Sequence, residues 1–373
     1  MSGMNALPQA AAPARATMLA LLATLVTLTS ATQAGTRAPS AMRQACHAVS
    51  RAACDTAHAL GRGVNLGNML DAPREGDWGV RAEPFLVEAA ASRFQTVRLP
   101  VRWSNHAAPT ADATLDEAFA RRVESVVDAL LAHGVWVILD LHHYSQAYGD
   151  PLHRSEFEVA PVVVEQRLVN LWAQIARRFQ HHSPRLLFEL LNEPHHQLDD
   201  EAWNRLAARA LAAVRATNPR RVVMIGPGDW NHPRALPGMK LPPDPNLIVA
   251  VHTYDPFGFT HQGVTWRTPV LPTGVACCDA AQRQQVVAAL EAAAAWNRAN
   301  GVPVHLGEFG AHVAADMDSR AAYARLVRDE AERRGMGWAW WEFAADFSPV
   351  YDAGRRAWIA PLERALLGPP PRR

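Results

Sequence analysis

Two glutamates with similar surroundings stand far apart in the chain. Glu193 lies in Leu190-Leu-Asn-Glu-Pro194 and Glu308 in Leu306-Gly-Glu-Phe-Gly310. Each follows a short apolar run of the kind that forms a buried strand. Two carboxyl groups facing each other across a cleft can cleave a glycosidic bond. One protonates the leaving oxygen while the other attacks the sugar or activates water. Each also has a plain structural reading. Glu193 could simply open the turn after its strand, and Glu308 could be half of a buried ion pair with Arg98. Taken together, with Gly307 and Gly310 allowing close approach at the Glu308 segment, they read as a catalytic pair.

Apolar runs rich in Val, Ile and Leu alternate with longer amphipathic segments. Strands are expected at Arg62–Leu66, Thr96–Val101, Trp136–Leu141, Leu186–Asn192, Arg221–Gly226, Leu247–Tyr254, Val304–Phe309 and Met336–Phe343. Helices are expected at Glu83–Phe94, Asp116–His133, Val162–His181, Asp199–Thr217, Ala280–Asn300, Ser319–Arg334 and Arg356–Leu367. Thr114 to Glu117 reads as a capping box, and His133-Gly134 and Asn300-Gly301 as helix exits. The connection from Pro227 to Asn246 shows no convincing helix. Near-continuous apolar strands alternating with helices imply a parallel sheet covered on both faces. Eight such units across residues 60–367 fit a single-domain α/β fold, the (β/α)8 barrel. An open doubly wound sheet fits less well, because the Gly61-Arg-Gly63-Val-Asn-Leu66 segment lacks the last glycine of a dinucleotide loop.

In a barrel the chemistry sits where the strands end at the C-terminal face. The residues placed there are Asn65 and Asn68, Arg98, His142 and His143, Asn192 and Glu193, Asp229 and Trp230, His252 and Tyr254, Glu308, and Trp341. Glu189, four residues before Glu193, falls on the same strand face but deeper, and reads as a structural partner rather than an alternative acid. Trp230 and Trp266 occupy loops on this face and are candidate stacking platforms for sugar rings. Trp136, Trp172 and Trp296 read as core. The connection from Asp255 to Asp279 is long enough to form a wall or lid.

Several chemistries are excluded. The formal charge of +1 gives no general attraction to nucleic acid or acidic membranes. Lys240 is the only lysine, so no phosphate-cradling Gly-Lys loop can form, and a Schiff-base lysine on a strand is not expected. His-Glu-x-x-His and Gly-x-Ser-x-Gly are both absent, against a zinc protease and a serine esterase. His142 and His143, as neighbours on a regular strand, would point to opposite sides. No metal and no cofactor is expected.

Arg15, the apolar run Met18–Leu28 and the small residues ending at Ala34 describe a secretory signal over residues 1–34. An extension over residues 35–59 and a tail over 368–373 are expected to flank the barrel. Four cysteines suit an exported protein. Cys277 and Cys278 are adjacent, and a link from that pair back to Cys46 or Cys54 is the expectation.

The ordered segments resemble glycoside hydrolase family 5, the group that contains bacterial endoglucanases. The resemblance rests on Gly61-Arg-Gly-Val-Asn-Leu-Gly-Asn68, Val97-Arg-Leu-Pro100, Asp140-Leu-His142, Phe188-Glu-Leu-Leu-Asn-Glu-Pro194, Val251-His-Thr-Tyr254, Gly307-Glu-Phe-Gly310 and Trp340-Trp-Glu342. It implies a retaining double displacement, with Glu193 as acid/base and Glu308 as nucleophile. It implies further that Arg98 and Tyr254 hold Glu308 ionised and that Asn192 meets the sugar 2-hydroxyl. Asn65, His142, His252 and Trp341 would contact substrate beside the scissile bond. The implied partner is a β-1,4-glucan, cut internally by a secreted monomer. Mannan, xyloglucan and β-1,3-glucan are the alternatives, and a non-catalytic glycan-binding barrel is the reading from another class.

Overall fold

A computed structural model describes residues 43–152 and 156–368. The expected signal at 1–34 and the tail proper, beyond Gly368, lie outside the described residues. Eight parallel strands close into a barrel in sequence order: β1 (Arg62–Asn65), β2 (Thr96–Leu99), β3 (Trp136–Asp140), β4 (Leu186–Glu189), β5 (Val223–Ile225), β6 (Leu247–His252), β7 (Val304–Phe309) and β8 (Trp338–Trp340). A hairpin follows, β9 (Tyr351–Asp352) against β10 (Ala357–Trp358). The helices are α1 (Arg51–Leu60), α2 (Pro84–Ala91), α3 (Glu117–Ala132), α4 (Ser145–Tyr148), α5 (Val164–Arg178), α6 (Asp200–Arg215), α7 (Phe257–Thr260), α8 (Ala280–Asn300), α9 (Met317–Arg333) and α10 (Ala360–Leu367). The (β/α)8 barrel is therefore the architecture. The β5–β6 connection carries only a 3-10 segment, Pro233–Gly238, as its Pro-rich sequence implies.

The strands are shorter than their apolar runs. β4 stops at Glu189, β6 at His252 and β8 at Trp340, so Asn192, Glu193, Tyr254 and Trp341 stand on the loops just beyond. β6 and β7 lose register between Val251 and His252, which brings His252 opposite Glu308.

Helix α1 falls within the segment expected to be an extension. Ala53, Ala57 and Leu60 recur at helical spacing and are buried. They pack with Ile138, Leu187, Val222, Met224, Ile248 and Ala250, the inward side chains of β3 to β6 and the approach to β5. That packing plugs the N-terminal mouth of the barrel. Ser50 caps the helix by accepting from the Ala53 amide at 3.1 Å. Helix α3 is capped by Asp116, which accepts from the Phe119 amide, so the capping box expected at Thr114 is not formed.

The disulfides differ from expectation. Cys46 pairs with Cys54, Cα atoms 5.7 Å apart, and Cys277 pairs with its neighbour Cys278. Helix α8 explains why the two pairs cannot exchange. Cys278 precedes its N-cap, Asp279, while the Ala48 amide donates to Gly301 at its other end. A helix of 21 residues holds those ends about 30 Å apart, several times the reach of a disulfide.

Candidate active site

Arg98 on β2 is the hub, fully buried and directed into the barrel. Its Nε donates to Glu189 Oε2 at 2.7 Å, and its Nη2 pairs with Asp140 Oδ2 at 2.7 Å. Nη1 donates to Glu308 Oε1 at 2.6 Å and to Asn65 Oδ1 at 3.0 Å. Nη2 also donates to Asn192 Oδ1 at 2.7 Å. Burial works against the guanidinium charge, but Asp140, Glu189 and Glu308 around it hold its pKa well above the ordinary arginine value.

Glu308 accepts from Arg98 and, at its other oxygen, from the Tyr254 hydroxyl at 2.9 Å. Both glycines of its segment are needed. A Cβ at Gly307 would come within 2.7 Å of His252 Nε2, and one at Gly310 within 2.2 Å of the Trp341 carbonyl. Glu193 has a different neighbourhood, with His252 Nδ1 2.8 Å from its Oε1 and Arg98 out of direct contact. The same nitrogen lies 3.8 Å from Glu308 Oε2. Oxygen atoms of the two glutamates and this nitrogen all fall within 4.8 Å of one another.

Burial pushes Glu193 up to about 7, with His195 and Arg98 opposing it. Burial likewise pushes Glu308 up to about 7, opposed by His252, Arg98 and the Tyr254 hydroxyl. The two titrate as a pair, and the donors separate their roles. Glu308 receives a guanidinium N–H and a phenol O–H, both of which favour its charged form, so it ionises first. Glu193 is left with the proton. Burial also lowers His252 to about 4, so its ring is neutral near pH 7.

Trp341 forms one wall. Its ring stacks on His142, centroids 5.2 Å apart and planes within 7°. Gly67 makes room, since a Cβ there would meet the indole at 2.8 Å. His142 Nδ1 bonds Asp140 Oδ2 at 2.9 Å, which fixes the ring, and burial holds His142 well below the usual histidine range.

Asn65, Arg98 and His252 are all buried and act on other groups of the protein. Asn65 donates to the carbonyls of Gly307 and Trp340, accepts from Arg98, and has no exposed surface. It ties β1 to the segments that carry Glu308 and Trp341 and does not reach a glycan. Arg98, at 0% exposure, positions Glu308 and Asn192 rather than binding sugar. His252, 1% exposed, orients Glu193 from beneath. Asn192 has its oxygen engaged by Arg98, which leaves its amide nitrogen as the group able to donate to a sugar hydroxyl. Trp230 and Trp266 stand in the loops after β5 and β6, 41% and 72% exposed. Asp229, Trp230 and Asn231 all have positive φ, from 52° to 57°, a costly run that holds the indole outward.

Asp71 and His143 belong beside His142, with a ligand-type atom of each within 4.8 Å of the others. Because β3 ends at Asp140, strand alternation no longer applies at His142 and His143, and their rings meet edge to face at 4.6 Å. Burial pushes Asp71 up to about 7, which makes it a hydrogen-bonding acid as well as an acceptor. The only signal for it in the sequence was its place in the loop after β1.

Residues 58–346 match the cellulase model, glycosyl hydrolase family 5. Endoglucanase H of Acetivibrio thermocellus is 35% identical over 320 residues, which cover 83% of this chain and 33% of that protein. Endoglucanase A of Clostridium longisporum is 29% identical, covering 78% of this chain and 59% of that protein. This chain thus spans about a third to three fifths of those relatives' length. Among solved structures, a hyperthermophilic endo-β-1,4-glucanase in complex with substrate superposes with a TM-score of 0.79 at 38% identity, covering 85% of this chain and 99% of that one. Thermotoga maritima Cel5A in complex with mannotriose gives 0.78 at 34% identity, over 84% and 99%. The barrel, the order of its site segments and these similarities agree: the chain belongs to glycosyl hydrolase family 5, the cellulase family.

Proposed function

We propose that the protein is a secreted, monomeric, retaining endo-β-1,4-glucanase. The observation that carries this reading is the pair Glu193 and Glu308, with oxygen atoms within 4.8 Å of each other and unlike donor sets. Retaining glycosidases hold their carboxyl groups ~5–5.5 Å apart, and inverting ones ~6.5–9.5 Å to admit a water. A nearest-oxygen distance within 4.8 Å is compatible with the shorter, retaining spacing. Glu308, ionised, attacks the anomeric carbon while Glu193 passes its proton to the leaving oxygen. Glu193, now charged, then takes a proton from the water that releases the sugar from Glu308. Asn192 donates to the oxygen of the 2-hydroxyl and orients it, and the hydroxyl's own proton is the one that becomes the better donor as positive charge develops on the ring. Trp341 offers its face to the pyranose beside the scissile bond.

The glucan assignment draws on the endoglucanases to which the chain is similar. The mannotriose complex of T. maritima Cel5A favours mannan as a second substrate. Export rests on the N-terminal sequence. Among the described residues no helix is long and apolar enough to cross a membrane. The test is release of reducing ends from carboxymethylcellulose, mannan, xyloglucan and laminarin, with Glu308→Gln as control and the anomer of the first product read by NMR. Activity on carboxymethylcellulose with a β-product, absent in the variant, supports the reading. An α-product overturns retention, activity only on another glycan replaces the substrate, and tight binding without turnover favours a binding protein.

A further inference from the structure

The loops after β3, β4 and β5 bring together Asp150, His195, His196 and Trp230, and the reaction above uses neither histidine nor Asp150. His195 is clamped between Tyr148, ring centroids 4.2 Å apart, and Trp230, at 4.8 Å. Its Nδ1 faces the backbone carbonyl of Glu193. A carbonyl only accepts, so Nδ1 carries the hydrogen and donates. That turns Nε2 towards Asp150 Oδ2, 3.0 Å away. The other oxygen of Asp150 lies 2.9 Å from His196 Nδ1. One ligand atom from each of the three residues falls within 4.8 Å of the others.

Two imidazoles and a carboxylate are a donor set that Zn²⁺ takes in sites keeping a fourth position open. An outer hydrogen bond from the ligating histidine to a backbone carbonyl is the usual accompaniment, and His195 already makes it to Glu193. Access is also suitable: the side chains of His195, Asp150 and His196 are 9%, 32% and 55% exposed. One side of the cluster is therefore fixed by packing and the other is open to solvent. His196 is itself held at φ 48°, which turns its ring towards Asp150.

We propose that Asp150, His195 and His196 form a binding site for a divalent transition-metal ion of the Zn²⁺ class, with solvent as the fourth ligand. The ion cross-links the loop after β3 to the loop that carries Glu193, two residues from the acid/base.

The test is calorimetric titration of the tag-free, chelator-treated protein with Zn²⁺. Cu²⁺, the stronger binder of the divalent series, is added in a parallel fluorescence titration. The expected result is one Zn²⁺ per chain at this cluster, weakened more than about 100-fold in His196→Ala, since loss of a ligand exceeds the effect of an outer-shell partner. Cu²⁺ should quench a component of the emission that is missing from Trp230→Phe. No Zn²⁺ uptake up to millimolar concentration overturns the proposal. Binding of equal affinity in His196→Ala and Asp150→Asn places the ion elsewhere and overturns it as well.

Discussion

The phenol of Tyr254 is a single defined lever on the reactivity of Glu308, and Tyr254→Phe removes it with little else. The ring keeps its edge contacts with His261, at 5.0 Å, and Phe347, at 6.0 Å, so the fold should persist. What is lost is one O–H donated at 2.9 Å to the carboxylate. A hydrogen bond to a charged group contributes about 1.5–3 kcal/mol, and one pKa unit corresponds to about 1.4 kcal/mol. The donor favours the ionised form, so its removal raises the Glu308 pKa, by about one to two units. Burial already holds that group near 7, so the shift takes it above the pH at which Glu193 still keeps its proton. In a pH profile of kcat/KM on an aryl cellobioside, the acid limb should move up by that amount. Activity on the acid side should fall about ten- to a hundredfold, and the maximum should drop. Arg98 still pairs with Glu308 at 2.6 Å, so activity should not vanish. An acid limb that stays in place or moves to lower pH would falsify the assignment of Glu308 as the group that must ionise.

Three further outcomes follow from the same geometry. Glu308→Gln should lower kcat by more than about a thousandfold while cello-oligosaccharide affinity stays within about threefold. Arg98 keeps Asp140 and Glu189 in that variant, so an unfolded product would instead make Glu308 a structural ion-pair partner. Trp266→Ala should raise KM for polymer several-fold and leave a short aryl glycoside unaffected; equal effects on both would place the 72% exposed indole outside an extended subsite. Glu342 is buried and pushed up to about 8, with Oε1 accepting from the Phe347 and Ser348 amides. Between pH 4.5 and 8 the folded state holds a proton that the unfolded state has lost. Stability therefore falls with rising pH across that window, by about 3–5 kcal/mol. Glu342→Gln keeps the acceptor and removes the titration. Its melting temperature should change less between pH 5 and pH 8 than the wild type's, and an equal change would mean that Glu342 is not the titrating group.

Strand order and the opposed glutamates were legible because parallel strands buried on both faces must be nearly all apolar, and polar residues then stand out at their ends. The exact ends were not. Leu190, Leu191 and Phe343 are fully buried although they lie beyond the ladders, so apolar character overstates strand length there. Helix α1 is marked in the sequence by its N-cap Ser50 and by the helical spacing of Ala53, Ala57 and Leu60, but it follows directly on an Ala/Arg-rich low-complexity stretch that blurs where order begins. The cysteine pairing depended on which end of α8 each segment meets, a property of the closed barrel rather than of spacing. Asp71 escaped for a similar reason, as did the meeting of His143 with His142: loops, not a repeating strand pattern, bring these side chains together.

Arg98 shows why the site's inner layer had to be polar and why sequence pattern could mark its members without ranking them. An isolated carboxylate as buried as Glu308 would stay protonated and could not attack. Arg98 offsets that, but a lone buried guanidinium is equally unfavourable, and Asp140, Glu189 and the oxygens of Asn65 and Asn192 surround it. Alternation along β2 places Arg98 inward, and alternation along β4 does the same for Glu189. Neither pattern says that one cation is shared among three carboxylates, which is what makes each of them indispensable to the charge state of the others. Glu189, which touches no substrate, is accordingly part of what keeps Arg98 in place for Glu308. The distinction between Glu193 and Glu308 then comes from position alone. Glu308 lies inside that network and loses its proton, while Glu193 lies just beyond Arg98's reach, against a neutral imidazole, and keeps its own.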